Sequence, residues 1–257
     1  MSQVSIIIPY KNNLKYLFLA LKSILNQTYK NYKILVIYDD ENKSDLILLK
    51  KFIIKKKKKF KFSIQILVNN RNLGAGESRN KGIKHCKTQY IAFLDSDDVW
   101  HKTKLKEQIK FMKKNHLLIS HTSYLGINDN LDILYKRIAK KVTNFNDLIS
   151  SCDIGLSTVM LNTNFIKKNN LFFPNDIKTK EDYVFWLRII RKSIYIRGLN
   201  KNLTYYRKTK NSLSSNIFMN LYNGYNVYRK FMKYNFITSC FCLFRLSINY
   251  LRKKNRL

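Results

Sequence analysis

The amino-acid sequence predicts an α/β fold in which helices flank a mostly parallel central sheet. Two patterns support this prediction. Short runs of continuously apolar residues, of the kind found in strands buried on both faces, alternate with segments whose apolar residues recur at helical spacing. Such an alternating order favours a parallel sheet, because each helix returns the chain to the same edge. The apolar share of 45% over 257 residues is enough to form a core of that size.

The first part of the chain shows both patterns most clearly. Val4–Pro9 is continuously apolar, whereas Leu14–Leu25 carries its apolar residues on one helical face, with Asn12 or Asn13 as the expected N-cap. The elements that follow are predicted as strands at Lys33–Tyr38, Ser63–Asn69 and Tyr90–Leu94 and helices at Leu46–Phe60 and Gly74–His85.

The second part of the chain is less regular. We predict strands at Leu117–Leu125, Leu156–Leu161 and near Ser193–Arg197, and helices at Trp100–Asn115, Asn144–Cys152, Glu181–Arg191 and Asn216–Tyr234. With only two prolines and seven glycines, the chain has little material for a linker. We therefore expect one main domain, residues 1–215, and a helical, basic and amphipathic C-terminal extension, residues 216–257.

The charge of the chain is strongly positive. It contains 49 Lys and Arg against 16 Asp and Glu, a formal net charge of +33. Such a field attracts nucleic acid, anionic lipid headgroups or phosphorylated substrates, and composition alone does not rank these partners. Alternatively, most of the lysines only solvate the surface, as we expect for Lys55–Lys59 at the polar end of a helix.

Cysteine usage points to a reducing compartment. Cys86, Cys152, Cys240 and Cys242 form no CxxC pair, and no Cys/His cluster has the spacing of a zinc site. We therefore expect reduced cysteines and a cytoplasmic protein. The first residues lack the pattern of a secretory leader, and no run of about 18 apolar residues predicts a membrane span.

Polar residues follow three of the predicted strands where each strand ends. Pro9-Tyr10, Asp39-Asp40 and Asp95–Asp98 lie at the ends of the first, second and fourth strands. Ligands bind at the carboxyl ends of strands in open parallel sheets. Both the topology and the residue types therefore predict a ligand site at this edge.

The richest of these clusters is Asp95-Ser96-Asp97-Asp98. Three carboxylates within four residues repel one another unless a cation lies between them, and Mg²⁺ or Mn²⁺ suits such oxygen ligands. The alternative is an Asp-rich turn that caps the following helix. Asp39-Asp40 has the same two interpretations: a contact to a base or ribose, or a turn.

Two helix starts also carry candidate residues. Asn72–Ile83 opens a helix with glycines and places Arg79 on its next turn, an arrangement that favours a diphosphate but is not the Walker pattern. Lys180-Glu181-Asp182 begins another helix. Its carboxylates either interact with the helix dipole, or Asp182 acts as a general base facing the site.

Taken together, these segments resemble glycosyltransferase family 2, the inverting enzymes with a GT-A fold. The resemblance runs from Val4 to about Ser215. The matching segments, in the family's order, are Val4–Asn12, Ser23–Tyr29, Asn72–Ile83, Asp95–Asp98 (the DxD-type motif) and Glu181–Arg188.

The resemblance implies a role for each candidate residue. Pro9, Tyr10, Ser96 and the Asp39-Asp40 pair would lie on the nucleotide sugar, with Asp40 as the preferred contact to the base. Arg79 would lie near the diphosphate. Asp95 would contact the ribose or the metal, Asp97 would coordinate Mg²⁺ or Mn²⁺, and Asp182 would deprotonate the acceptor hydroxyl.

The resemblance also implies the reaction. We expect inverting transfer of a hexosyl or N-acetylhexosaminyl group from a nucleoside diphosphate sugar, with UDP as the expected nucleotide. The acceptor would be a hydroxyl of a glycan or lipid-linked saccharide in surface polysaccharide or lipopolysaccharide biosynthesis. The alternatives are an inactive, scaffolding relative and a basic nucleic-acid-binding protein. We expect no nucleic-acid partner, because no recognised motif occurs and acidic strand ends repel phosphates.

Two departures from the family pattern affect the site. The usual Asp-Asp-Gly-Ser is replaced by Asp39–Asn42, which exchanges the glycine for Glu41. The histidine that many relatives carry after a Tyr-Arg pair is replaced by Thr209. Arg207 or Lys208 could then supply the positive charge.

The extension has a pattern of its own. Asn235–Leu251 is apolar apart from Arg245, and basic residues follow it. This suits a helix lying on an anionic membrane surface, or one packed back on the main domain. We therefore expect a cytoplasmic protein that is either free or peripheral on the inner face of the cytoplasmic membrane.

Overall fold

The computed structural model describes residues 3–177, 179–193, 195–208 and 217–254. Its first part alternates strands and helices as predicted. The strands are β1 (Val4–Tyr10), β2 (Tyr32–Tyr38), β3 (Ser63–Val68) and β4 (Tyr90–Phe93), and the helices between them are α1 (Leu14–Leu25), α2 (Lys43–Lys57) and α3 (Ala75–His85).

The second part contains shorter elements. They are β5 (Val99–Trp100), α4 (Lys104–Lys114), β6 (Ile119–Ile127), β7 (Ile133–Arg137), β8 (Val142–Asn144), α5 (Phe145–Ser150), β9 (Met160–Asn162), α6 (Thr163–Lys168), α7 (Glu181–Ser193) and β10 (Tyr195–Arg207). The last described elements are α8 (Ile217–Asn226), a π-helical turn (Val227–Phe231) and α9 (Phe236–Lys254).

All the strands in the described part of the chain belong to one sheet, which confirms the predicted class. Its main path runs β3-β2-β1-β4-β9-β6-β10-β5. The first four strands are parallel, β9 runs antiparallel to both neighbours, and β6 and β10 are again parallel to each other. The carboxyl ends of β1, β2, β4 and β10 therefore meet at one edge, where the polar clusters lie.

Successive side chains of each buried strand point to opposite faces of the sheet, so both faces carry apolar residues. Helices cover both faces. Ile7 points to the core under α3, α5 and α7, whereas Ile6 and Ile8 point to the core under α1, α2 and α4. The α3 helix approaches β1 closely at Gly82. A Cβ there would lie 2.6 Å from Ile7 Cγ2, so the close packing depends on this glycine.

An aromatic cluster fixes α7 against the sheet. Phe173 and Phe185 stack with ring centroids 4.0 Å apart, and both make edge contacts with Phe93 at the end of β4. Trp186 is fully buried beside them. This packing sets where the first residues of α7 lie relative to the turn after β4.

The C-terminal helices pack against the main domain through one face. The Tyr228 hydroxyl donates to Ile149 O at 2.7 Å, and Asn249 Nδ2 donates to Ser150 O at 2.8 Å. Leu243 and Leu246 contact the core on the side of α5 and α7. Large apolar side chains on the opposite face are exposed: Phe218, Tyr222, Phe236, Ile237, Phe241 and Phe244. No helix in the described ranges is long and apolar enough to cross a bilayer.

Several boundaries differ from the prediction for local reasons. Trp100 does not begin a helix: it pairs with Thr204 of β10, and α4 begins at Lys104. The α2 helix begins before Leu46, because Asn42 Oδ1 accepts hydrogen bonds from the first-turn amides. The predicted strand Leu156–Leu161 is a 3₁₀ turn followed by β9.

Other elements were missed or misjudged in extent. The strands β7 and β8 and the helix α6 were not predicted; all three are short, and β7 and β8 are mostly exposed. The strand expected near Ser193–Arg197 continues as β10 to Arg207, and the helix predicted to Tyr234 changes to π geometry at Val227.

Candidate active site

The turn between β4 and β5, Asp95–Asp98, is the centre of the candidate site. Asp98 is buried, and its Oδ1 accepts a hydrogen bond from the backbone amide of Arg207 at 2.9 Å. Burial raises the pKa of Asp98 well above its ordinary value, and the charges of Asp97 and Asp95 raise it further. This carboxyl connects the turn to the end of β10 and is not available to a ligand.

The other two carboxylates of the turn are accessible. Asp95 and Asp97 are both partly exposed, as is Ser96 between them. Burial, followed by the charge of Asp95, raises the pKa of Asp97 to about 6. The charge of Asp95 thus opposes ionisation of Asp97, and a bound cation would offset that repulsion.

Arg79 joins this turn to the start of α7. Its guanidinium donates to Asp95 Oδ1 at 2.8 Å and to Glu181 Oε1 at 2.9 Å, and the side chain is buried. Burial alone would lower the pKa of Arg79, but the two carboxylates raise it overall. The arginine expected beside a diphosphate is therefore already paired with two carboxylates of the protein.

Asp182 follows Glu181 at the first turn of α7 and is partly exposed. Its Oδ1 accepts from the amide of Tyr183 at 2.7 Å, and the described residues provide no other hydrogen bond to this carboxylate. Burial, followed by the charge of Glu181, raises the pKa of Asp182 to about 6. Lys180, just before the helix, has a φ of 64°, a left-handed conformation that is uncommon for lysine.

The carboxylate of Asp39 has a structural task. It accepts hydrogen bonds from the amides of Leu73 and Gly74 and from Asn69 Nδ2, each at 2.8 Å. These bonds fix the loop that leads into α3. Because Asp39 is almost fully buried, its side chain presents no free oxygen to a nucleotide.

Asp40 is more accessible than Asp39. Its Oδ2 accepts from the amide of Asn12 at 2.6 Å and its Oδ1 from the amide of Asn42 at 3.0 Å. The pair of bonds brings the loop after β1 to the loop after β2. Asp40 therefore remains the better-placed residue of the pair for a contact to a base.

Pro9 and Tyr10 are both buried at the end of β1. The Tyr10 hydroxyl donates to Asp45 Oδ2 at 2.7 Å, and its ring lies 5.1 Å from that of Tyr38. The side chain of Tyr10 thus belongs to the core rather than to an open binding surface. Glu41, which replaces the family's glycine, is exposed.

The positive charge expected after β10 is present at Arg207. This buried side chain donates from Nε to Asp97 O at 3.1 Å and from Nη1 to Asn128 O at 3.1 Å. Lys208 is exposed beside it. Thr209, the residue in the family's histidine position, lies outside the described residues.

The carboxylates of the candidate site fit a divalent ion only together with ligands from a substrate. Across residues 3–177, 179–193, 195–208 and 217–254, no three His, Cys, Asp or Glu side chains converge as a metal site. Asp95 and Asp97 supply two hard oxygen ligands with mutual repulsion. Mg²⁺ and Mn²⁺ commonly bind through one or two carboxylates, phosphate oxygens and water, so this pair fits such an ion.

Sequence reasoning missed two contacts of the candidate site. Glu181 is the second partner of Arg79, although only its neighbour Asp182 was expected in the site. The Ser157 hydroxyl accepts a hydrogen bond from the backbone amide of Asp95 and so holds the first residue of the turn. The acidic pair at the start of α7 is a sequence pattern that could have pointed to Glu181. No pattern points to Ser157, because it lies 62 positions from Asp95 in the sequence.

Comparisons with known proteins bear on the family and the fold of the chain. The model of the family "Glycosyl transferase family 2" matches residues 5–199. The glucosyltransferase WfaP of Escherichia coli is 37% identical over 98% of this chain and 96% of its own length. TuaG of Bacillus subtilis, a putative teichuronic acid biosynthesis glycosyltransferase, is 29% identical over 98% of this chain and 97% of its own.

Some relatives are much longer. An uncharacterised glycosyltransferase of Rickettsia conorii is 36% identical over 88% of this chain, which spans 35% of that relative. Among solved structures, TarS 1-349 of S. aureus in complex with UDP-GlcNAc superposes with a TM-score of 0.74 at 21% identity, covering 97% of this chain and 73% of TarS 1-349. The expected GT-A fold is thereby confirmed, and by its family match over most of its length the chain belongs to glycosyltransferase family 2.

Proposed function

We propose that the protein is an inverting glycosyltransferase that moves a sugar from a nucleoside diphosphate sugar to a hydroxyl group of a glycan or lipid-linked saccharide. One observation carries the proposal. The Asp182 carboxylate, which among the described residues accepts a hydrogen bond only from its own helix start, lies next to Glu181, and Arg79 links Glu181 to Asp95. A candidate base and a candidate donor site are thus joined by one arginine.

Asp182 acts as the general base in this proposal. A carboxyl with a pKa of about 6 is mostly ionised near neutral pH and is a stronger base than an ordinary aspartate. It takes the proton of the acceptor hydroxyl as that oxygen attacks the anomeric carbon. With one base and no proposed covalent nucleophile, attack occurs once, and the anomeric configuration inverts.

Asp95 and Asp97 hold the donor end of the site. They would bind Mg²⁺ or Mn²⁺, which, when bound, supplies positive charge for the departing diphosphate. Arg79 orients Asp95 and, through Glu181, the start of α7. Arg207 holds the carbonyl of Asp97, so two buried arginines fix the turn from both sides. Of the remaining candidates, Asp40 would contact the base, and Ser96 would lie on the nucleotide sugar.

The names of the relatives support the substrate class. WfaP is named as a UDP-Glc:α-D-GlcNAc-diphosphoundecaprenol β-1,3-glucosyltransferase, and TuaG is named for teichuronic acid biosynthesis. We propose a UDP-hexose or UDP-N-acetylhexosamine donor and an acceptor that belongs to surface polysaccharide biosynthesis. A scaffolding relative without activity would not need a partly buried carboxylate at Asp182 that accepts no side-chain hydrogen bond from the described residues, which favours the enzyme.

The C-terminal helices are proposed to contact an anionic membrane from the cytoplasmic side. Asp182 is the last acidic residue of the sequence, so residues 183–257 carry only basic charge. On α9 the exposed stripe includes Ile237, Phe241 and Phe244, with Arg245 beside it. Apolar side chains flanked by basic ones suit the interface of an anionic bilayer. We retain the division into a catalytic domain, residues 1–215, and an extension, residues 216–257, as part of this proposal.

Replacing Asp182 by asparagine tests the proposed base. Asp182→Asn keeps the size of the side chain but cannot accept the proton, so transfer should fall by about 10²- to 10⁴-fold. Binding of UDP-glucose or UDP-GlcNAc and the melting temperature should change little. In the parent enzyme, activity should fall as pH decreases through about 6, because the raised pKa of Asp182 leaves the inactive, protonated form dominant below that value.

Asp176→Asn is the matched control, since it removes the same charge from an exposed carboxylate close to the start of α7. It should leave the rate and the pH profile unchanged. Near-parental turnover of Asp182→Asn would remove this residue from the mechanism.

Replacing Asp97 by asparagine tests the metal. In calorimetric titrations, Mn²⁺ should strengthen UDP binding to the parent protein by at least about tenfold, because Asp95 and Asp97 would hold the ion and its charge would attract the diphosphate. Asp97→Asn should bind UDP equally well with Mn²⁺ and with excess chelator. Transfer that persists undiminished in excess chelator would contradict the metal assignment.

Substitutions on the exposed face of α9 test the membrane contact. Truncating the chain before α9 would remove Leu243 and Leu246 from the core, so surface changes are the better probe. The double variant Phe241→Ser/Phe244→Ser should lose at least about tenfold in partitioning to phosphatidylglycerol-containing vesicles, because two phenyl groups no longer leave water.

The control is Ile133→Ser/Ile138→Ser, which removes two exposed apolar side chains from the region of β7. It should sediment with vesicles as the parent does. Equal sedimentation of the two double variants, or no sedimentation of the parent at low salt, would show that α9 does not contact lipid.

A further inference from the structure

A groove of about 490 Å³ lies beside α1, behind the Asp95–Asp98 turn. Its walls come from α1, from the segment around β5 and from the turn between β6 and β7. Because α1 and α3 cover opposite faces of the sheet, the groove is on the other face from Arg79. Its charged and polar lining includes Lys15, Tyr16, Lys22, Lys102, Asp129 and Arg207.

Arg207 gives the groove a cation in a fixed orientation. The side chain is 3% exposed, and its guanidinium lies 4.7 Å from the centre of the Tyr16 ring. Nε and Nη1 donate to backbone carbonyls, whereas Nη2 has no hydrogen-bond partner among the described residues. A buried guanidinium nitrogen without an acceptor is costly, so a ligand that supplies one would be favoured.

Three lysines add to this charge without acidic partners. Lys15, Lys22 and Lys102 are exposed, and no described carboxylate lies within ion-pair distance of any of them. Surface lysines are usually solvated, but here three of them share one concave surface with a buried arginine. The groove therefore concentrates positive potential at a single place.

Asp129 is the single acidic residue of the groove lining. Its Oδ1 accepts a hydrogen bond from the Tyr16 hydroxyl at 2.5 Å and lies 3.8 Å from Arg207 Nη1. The side chain is 58% exposed and extends from the β6–β7 turn. The exposed Asp129 carboxylate thus lies between the Tyr16 hydroxyl and Arg207. An oxygen of a bound anion would occupy the same position.

We propose that this groove binds a diphosphate-bearing solute, with Arg207 and Tyr16 as its fixed donors and with Lys15, Lys22 and Lys102 around it. Arginine and tyrosine donors match phosphate oxygens, and the lysines balance the charge of a second phosphate group. Asp129 competes with the ligand for Tyr16 and Arg207. The inference does not depend on the transfer activity, because none of its three lysines belongs to the proposed catalytic site.

Pyrophosphate is the probe, titrated calorimetrically into the metal-free full chain. The variant Lys15→Ala/Lys22→Ala/Lys102→Ala should bind pyrophosphate about tenfold more weakly or worse, since three ion pairs are lost. The matched control, Lys51→Ala/Lys87→Ala/Lys168→Ala, removes the same charge from exposed lysines elsewhere and should bind as the parent does.

Asp129→Asn should strengthen pyrophosphate binding severalfold, because the competing charge is removed. Titrating UDP in the presence of Mn²⁺ distinguishes the groove from the donor site. The triple lysine variant of the groove and Asp129→Asn should bind UDP as the parent does. If UDP displaces pyrophosphate from the parent but not from the triple lysine variant of the groove, the ligand of the groove is a nucleotide; if UDP displaces it from neither, the ligand is a free diphosphate. Equal pyrophosphate affinity of the two lysine variants, or weaker binding by Asp129→Asn, would overturn the proposal.

Discussion

The arrangement of the site depends on one buried arginine. Arg79 leaves α3, which packs closely on β1 through Gly82, and pairs with Asp95 on the turn after β4 and with Glu181 at the start of α7. Removing one partner of a buried ion pair leaves an uncompensated charge and typically costs about 3–5 kcal/mol. Three segments that are far apart in sequence are therefore held in one geometry, and that geometry brings Asp182 and Asp97 to the same edge of the sheet.

A second arginine completes the arrangement from the opposite face. The backbone amide of Arg207 binds the buried Asp98, and its side chain binds the carbonyl of Asp97. Of the three carboxylates of the turn, one is thus structural and two face the site. The raised pKa values of Asp97 and Asp182 follow from the same cause, since both are partly enclosed beside another carboxylate. In the proposed site these carboxylates form a cluster of negative charge that a cation, or a proton from the acceptor, would relieve.

The sequence was informative wherever a pattern repeats along the chain. The strands β1 to β4 and their helices could be predicted from apolar spacing, and the Asp95–Asp98 turn from its position at a strand end. Contacts between distant residues could not be predicted. Nothing in the sequence indicates that Asp39 binds the amides of Leu73 and Gly74, that Arg79 pairs with Glu181, or that Trp100 extends along β10. These depend on side-chain geometry that only the folded chain defines.

The central claim is that Arg79 and Glu181 act as one unit in placing the start of α7. A double-mutant cycle with Arg79→Gln and Glu181→Gln, measured by the free energy of unfolding in urea, tests it most directly. We predict that the double variant loses less free energy of unfolding than the two single variants lose together. The difference, the coupling energy, should be about 2 kcal/mol or more, because removing both charges leaves neither of this pair unpaired. Single losses that add within about 0.5 kcal/mol would contradict the account.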